Sequence, residues 1–282
     1  MAGEIARQLL VHNIHVNGLK AVIYSYGLSA SRYVEYAGAL TFLLPELKQG
    51  GTILDVGCGH SILPAYWQRL NLKTITLDAN RDALKWQVRK SKRIANVFFQ
   101  AVLADMRHMP FKTKSILGVS CISAIEHIRG NGDIKVASEI GRILKKNGIS
   151  IISIPLSSHE KSYAKTRWTT GIPPVLQSLF KFCLSTILSK LGVDRTSSYF
   201  ERFFSNTDVY KRIIEPSDCL KEDCFMLKSG YIIKLIYAKI FPIGVLTLIE
   251  YLVAKFLMTS KRVRKGDALV LKLRKTNAKK KL

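Results

Sequence analysis

At 282 residues the chain has room for one α/β domain with an added lobe and a sizeable core. Hydrophobic residues at 48% and charged residues at 23% are ordinary globular usage, which argues against disorder and against a multi-span membrane protein. The outlier is a net charge of +24, and charge of that size speaks to partners and solubility rather than to fold.

Residues 1–49 read as an N-terminal helical segment, because "RYVEYAGALTFLLPELK", 32–48, mixes helix formers with apolar positions near a 3.6 spacing. Before it stand Glu4, Arg7 and two histidines, with apolar runs too short for a signal-peptide core, so export is not expected. Thr52 to Val56 is rich in β-branched and aliphatic residues and predicts a buried strand that stops at Gly57. A rhythm follows: helical "ILPAYWQRL", strand "KTITLDA" at 73–79, and helical "RDALKWQVRKSKR". Strands "VFFQAVLAD" from 97 and "SILGVSCIS" from 115 come next, then a helix "GDIKVASEIGRILKKNG" from 132 closed by Gly148, and the strand "ISIISIP" ending at Pro155. Alternation of this length predicts a parallel sheet covered on both faces.

After Pro155 the pattern changes. Residues 156–205 read as a helical lid insertion, with polar, loop-like "SSHEKSYAKTRWTTGIPP" before apolar-periodic "VLQSLFKFCLSTILSKLG". Residues 206–275 read as the C-terminal part of the sheet. They open on a helix with Ser205, Asn206 or Thr207 as N-cap and Pro216 as stop, and end on the strand "DALVLKLRK" at 267–275. Between these, 231–258 is interrupted by Lys234, Lys239, Glu250 and Lys255, which argues against a membrane span. Residues 243–258 instead form an amphipathic helix pattern. Its apolar face either packs on the protein's own sheet or lid, or, with the basic "KRVRK" that follows, makes peripheral membrane contact through 243–265. Residues 276–282 are a basic, disordered tail. The five cations of Lys85 to Arg93 are a solvated helix face or an anion-binding patch. Five cysteines without a C-x-x-C pair predict neither a disulfide framework nor a metal site, and fit a reducing, cytoplasmic location.

The chemistry starts at Gly57. A glycine turn between strand and helix lets backbone approach a ligand closely, next to the unpaired N–H groups of a helix start. A dinucleotide-binding dehydrogenase would want a third glycine where Gly57, Cys58, Gly59, His60, Ser61, Ile62 has none. Asp78, 19 residues beyond Gly59, suits ribose hydroxyls in either kind of nucleotide site.

Residues 50–155 resemble the class I S-adenosylmethionine-dependent methyltransferases, in particular the small-molecule group. The resemblance rests on "ILDVGCG", on Asp78, on "LADMRHMPF", on "SAIEHI" after the fourth strand, and on "ILKKNGISIISIP". It implies a Rossmann-like, seven-stranded, mostly parallel sheet with helices on both faces plus helical insertions, and residues 50–155 as the core binding S-adenosyl-L-methionine. It further implies that Gly57 and Gly59 pass under the methionine part of the cofactor, with Asp55 ordering the loop from below. Asp78 would take the ribose, Ala79 would lie against the adenine, Asp105 would accept from its amino group, and the Met106 backbone would contact a ring nitrogen. His60 and Ser61 depart from the glycine common at the third motif position, and "KKNGI" stands where the family often has Pro-Gly-Gly, with Gly148 supplying the turn. Read alone, Asp105 is equally an N-cap or loop acid, and Glu126 with His127 equally a structural pair.

The implied reaction is direct displacement at an already activated methyl, so the protein mainly aligns a nucleophile. His127 is the candidate catalytic base if the acceptor must shed a proton. Tyr163, Trp168, Phe180, Tyr199, Phe203 and Phe204 favour a lid over a small-molecule or lipid-linked acceptor. The net charge keeps an RNA or protein methyltransferase as a competing expectation, and a non-catalytic binding module that retains the fold is a further one.

Overall fold

The computed structural model describes residues 8, 12, 30–47, 51–92, 98–157, 161–168, 196–227 and 268–276. In chain order, α1 (Ala30–Leu43) leads into β1 (Thr52–Val56), α2 (Leu63–Arg69), β2 (Lys73–Asp78), α3 (Arg81–Ser91), β3 (Phe99–Leu103), β4 (Ile116–Ile122), α4 (Gly132–Ile143) and β5 (Leu144–Pro155). Then come β6 (Lys161–Trp168), β7 (Thr196–Phe203), a helical run α5 (206–217), β8 (Cys219–Leu227) and β9 (Ala268–Lys275). Seven strands form one sheet in the order β3-β2-β1-β4-β5-β9-β8, with β9 antiparallel to both neighbours and every other pairing parallel. The chain turns from one side of the sheet to the other between β1 and β4. In open α/β sheets that switch point is where ligands bind, outside the carboxyl ends of the strands.

Burial on both faces explains why these strands read as continuous apolar runs. Ile53, Ile149, Ile151 and Val270 face α1 and α2, where Leu40, Leu43, Tyr66 and Trp67 are buried. Leu54, Val56, Val119, Ile152 and Ile154 face the other way, onto Val136, Ile140 and Ile143 of α4 and Ile213 of α5. Among the described residues no helix is long and apolar enough to cross a membrane.

Four local expectations are corrected. The helix from 132 does not run to Gly148: it ends at Ile143, and Leu144, fully buried, already pairs with Ile116. The left-handed residue in the bulge that follows is Asn147, φ 60°, not Gly148. Gly148 is needed for another reason, since a Cβ there would lie 2.9 Å from the Lys145 carbonyl oxygen and 3.0 Å from that of Leu117. Pro216 does not stop α5. Capped by Ser205 in a box with Asp208, the run widens to π geometry over Val209–Ile214, passes through Pro216 and ends where Asp218 turns left-handed at φ 50°.

The fourth correction concerns a strand. The polar stretch read as a loop contains β6, which pairs antiparallel with β7 from Lys161↔Phe203 to Trp168↔Thr196 in a separate two-stranded ribbon. Both strands are rich in Ser, Thr and aromatic residues that suit a pleated surface, and each finds its partner about thirty residues away, where no local pattern can point. Strand β8 carries Lys221, Glu222 and Asp223 because it is the sheet edge, where charge blunts unwanted pairing. Glu222 is paired with Arg274 and, at 3.0 Å, with Lys272 of β9. The apolar pattern at 175–192, the amphipathic helix 243–258 with its membrane-contact extension to 265, and most of the basic tail lie outside the described residues.

Candidate functional site

The cleft at the switch point has a volume of about 820 Å³ and crosses the carboxyl ends of β3, β2, β1 and β4. Its lining brings together Asp55, Gly57, Gly59, Asp78, Ala79, Asp105 and Met106, and also His127. They come from four different strand ends, so only the sheet order makes them neighbours.

The loop after β1 is held in shape by backbone bonds. The N–H groups of Gly57 and Cys58 donate to the Leu77 carbonyl at 2.8 and 3.2 Å, fastening the loop to β2. Gly57 and Gly59 have φ of 66° and 47°, a region that costs other residues a steric penalty. A side chain at Gly57 would also collide with Ala124, beyond β4. Gln87 of α3, 1% exposed, supports the loop from behind, donating to the carbonyls of Gly59 at 3.1 Å and Ser61 at 2.9 Å.

Asp78 ends β2 and ties two elements together. One carboxylate oxygen accepts from the Gly59 N–H at 2.7 Å and the other from the Asn80 N–H at 2.8 Å. Asn80 in turn caps α3 by accepting from the N–H groups of Asp82 and Ala83. Each Asp78 oxygen has a second lone-pair site, so the carboxylate retains capacity for hydroxyl donors. Asp105, after β3, is gripped by Arg107, whose Nε lies 3.0 and 2.9 Å from its two oxygens and whose backbone N–H donates at 2.8 Å. Arg107 holds the Asp105 carboxyl below the usual carboxylate range.

Asp55 is 2% exposed beneath the glycine loop, and its Oδ1 accepts from Ser120 Oγ at 2.5 Å. Burial pushes its pKa up to about 7; the Ser120 bond opposes the rise and nearby Asp78 adds to it. The ordinary value is near 4, so the folded chain binds this proton more tightly than the unfolded one. The stability Asp55 contributes is complete below about pH 4 and is lost as pH rises through about 7. Denaturant midpoints at pH 5 and pH 8 are expected to differ more in the native chain than in Asp55→Asn, which keeps the shape and an acceptor for Ser120. Equal differences in the two proteins would contradict this.

His127 reaches the cleft from a short 3-10 turn, Ile125–His127, but Glu126 does not orient it. Their closest approach is 3.8 Å, too long for a hydrogen bond. Glu126 is buried, its pKa pushed up to about 8 chiefly by burial, and one carboxyl oxygen has no hydrogen-bond partner among the described residues. Cys58 lines the cleft too, yet burial pushes its thiol up, away from thiolate chemistry.

Sequence reasoning missed the contribution of α1. Arg32 and Tyr36 line the β4 end of the cleft, with Glu35 behind them. Arg32 donates to Glu35 at 3.0 Å, and Glu35 accepts from Ser123 Oγ at 2.7 Å. The available signal was an i, i+3 Arg–Glu pair on an otherwise apolar helix. Nothing local linked it to a turn some ninety residues later.

Residues 54–152 match the family profile described as a methyltransferase domain. This segment is a methyltransferase domain. An uncharacterised protein of Methanocaldococcus jannaschii is 32% identical to the chain over 109 residues, 39% of this chain and 43% of that protein. A malonyl-[acyl-carrier protein] O-methyltransferase of Hamiltonella defensa is 28% identical over 131 residues, 46% of this chain and 47% of that protein. The chain thus spans less than half the length of these curated relatives. In fold it is similar to an S-adenosylmethionine-dependent methyltransferase from Clostridium acetobutylicum, with TM-score 0.56 and 11% identity over 92% of this chain and 96% of that one. The methyltransferase domain therefore accounts for β1 to β5 by sequence, and the likeness in fold extends to the seven-stranded sheet.

Proposed function

We propose that the protein transfers the methyl group of S-adenosyl-L-methionine to a small-molecule or lipid-linked acceptor. The observation that carries this is the pairing of Asp78 and Asp105 on one cleft with a positive-φ glycine pair at the switch point. That set suits the donor. Asp78 has lone pairs left for ribose hydroxyls, and Asp105, with Ala79 and the Met106 backbone, suits the adenine. Gly57 lets the loop close against Ala124, where a Cβ would collide. Arg32, which lines the β4 end, offers a cation to the carboxylate of an amino-acid group.

When bound, the donor supplies a methyl already activated by the positive charge of its sulfonium. The chain's part is to hold and align. Gly57 and Gly59 keep side chains out of the loop, while Asp78 fixes that loop to the start of α3. His127 is the group at the cleft suited to take a proton if the accepting atom must lose one. The described cysteines of the cleft and of β4 are buried thiols, so a covalent methyl-enzyme through sulfur is disfavoured.

The acceptor class is supported by the relative named for a malonyl acceptor on a carrier protein and by Tyr163, Trp168, Phe180, Tyr199 and Phe203, the aromatic residues expected over the cleft; Phe204 is fully buried in the core instead. The net charge of +24 keeps RNA and protein as competitors. A cytoplasmic location, with peripheral membrane contact through 243–265, belongs to the same proposal. Purified protein with methyl-labelled donor in cell extract tests all of these. Label in the lipid or small-molecule fraction is expected. Label in RNA or protein would replace the acceptor class, and calorimetry without any donor uptake by folded protein would overturn the activity.

A further inference from the structure

We propose that Arg202 is a positioning residue that ties the β6–β7 ribbon to the turn presenting His127 at the cleft. Arg202 lies near the end of β7 and is only 6% exposed. Its Nη1 is 2.7 Å from Asp133 Oδ2, and its Nη2 donates to the Gly130 carbonyl at 2.8 Å. Asp133 is fully buried in the first turn of α4, and Gly130, φ 62°, closes the segment that begins with the Ile125–His127 turn. One side chain therefore grips that segment three residues beyond His127 and also the helix that follows it.

Arg212 of α5 completes the tie. Its Nε and Nη2 donate to the two Asp133 oxygens at 2.7 and 2.8 Å, and Nη2 also reaches the Gly130 carbonyl at 3.0 Å. Two guanidinium groups converge on one buried carboxylate, so Asp133 keeps a partner if either arginine is lost. The roles differ. Arg212 braces the segment against another helix of the same layer, whereas Arg202 joins it to a ribbon outside the main sheet. The same end of β7 is also fastened to the end of β5, since the Phe204 N–H donates to the Pro155 carbonyl at 3.0 Å and the Ser157 N–H to the Phe204 carbonyl at 2.9 Å. That ribbon flanks residues 169–195, the stretch expected to meet the acceptor. A displacement of the ribbon is passed to the His127 turn through Arg202, because a buried charged pair resists separation far more than an exposed one.

The kinetic arm of the test rests on the methyltransferase reading; the structural arm does not. The full chain is compared with Arg202→Met and Arg202→Lys by hydrogen exchange, by calorimetry with S-adenosylhomocysteine, and by labelled methyl transfer into extract. Amides at 125–131 are expected to exchange about tenfold faster in Arg202→Met, with β1 and β2 unchanged. Arg202→Lys, which keeps the charge but loses the fork, should fall between. Affinity for S-adenosylhomocysteine should stay within about threefold while transfer drops about tenfold or more, as expected for misplacement of a group rather than loss of the donor. Unchanged exchange at 125–131 in both variants, or an equal rise throughout the sheet, overturns the proposal. If Arg202→Met fails to fold by near-ultraviolet circular dichroism, Arg202→Lys decides on the same readout. Wild-type protein that does not bind S-adenosylhomocysteine would sink the methyltransferase reading and leave the exchange result to judge the tie.

Discussion

Asp78→Asn is expected to weaken binding of S-adenosyl-L-methionine by about 100-fold, roughly 2.7 kcal/mol. Two losses combine. In the free protein the Asp78 oxygens accept from the N–H groups of Gly59 and Asn80 at 2.7 and 2.8 Å. An amide in the same place must turn its NH₂ toward one of those donors, leaving a pair with no acceptor between them. Charge-assisted bonds of this kind are about twice as strong as neutral ones, and an orphaned donor costs about 1–3 kcal/mol where water is excluded. The glycine loop and the start of α3 would then part, before any ribose contact is considered. Isothermal calorimetry measures the affinity, and an unfolding free energy lowered by about 1–2 kcal/mol in chemical denaturation should accompany it. Affinity within threefold of the native protein would remove Asp78 from the binding machinery. Asp82→Asn is the matched control, because Asp82 is solvated on the surface of α3 and has Lys85 at 3.5 Å as its side-chain contact. It should bind the donor as the native chain does.

Around this cleft, some features are legible in the amino-acid sequence and others are not. Strands β1, β2 and β4 are readable because burial on both faces leaves runs such as "TILDV", in which the acid stands out. The helix α3 is readable because Asn80 caps it where the sequence turns from strand to helix. What cannot be read depends on meetings across the fold. Ser120 comes to Asp55 from a strand 65 residues later, and Gln87 reaches back 28 and 26 residues to the carbonyls of Gly59 and Ser61. Arg32 and Tyr36 reach the cleft, with Glu35 behind them, only because α1 packs across the end of β4. The ribbon escapes for the same reason, since β6 and β7 pair with each other and not with the main sheet. The end of α4 is misjudged differently. Lys145 and Lys146 are good helix-surface residues, but pairing of Leu144 with Ile116 overrides that local preference.

Gly57→Ala should destabilise the folded chain by about 2–5 kcal/mol and abolish detectable donor binding. The φ of 66° alone costs an alanine about 1–2 kcal/mol. The larger share is steric. An added Cβ would stand 2.5 Å from the Ala124 Cβ and 2.9 Å from the Met106 Cε. Met106 ends in a flexible thioether that can swing aside. Ala124 cannot, because its Cβ is fixed to the backbone of a 6%-exposed residue that leads directly into the Ile125–His127 turn. The loop after β1 or the segment after β4 must therefore move, and overpacking of this kind costs about 1–3 kcal/mol. Either movement deforms the floor of the cleft between the two strands where the sheet order reverses. Gly59→Ala separates the contributions, since Gly59 has a similar φ of 47° but nothing within 4 Å of its added Cβ. It should lose about 1–2 kcal/mol, the backbone strain alone. Chemical denaturation of both variants reads the difference, and equal stability losses would show that the approach of Gly57 to Ala124 is not what holds the two strand ends together.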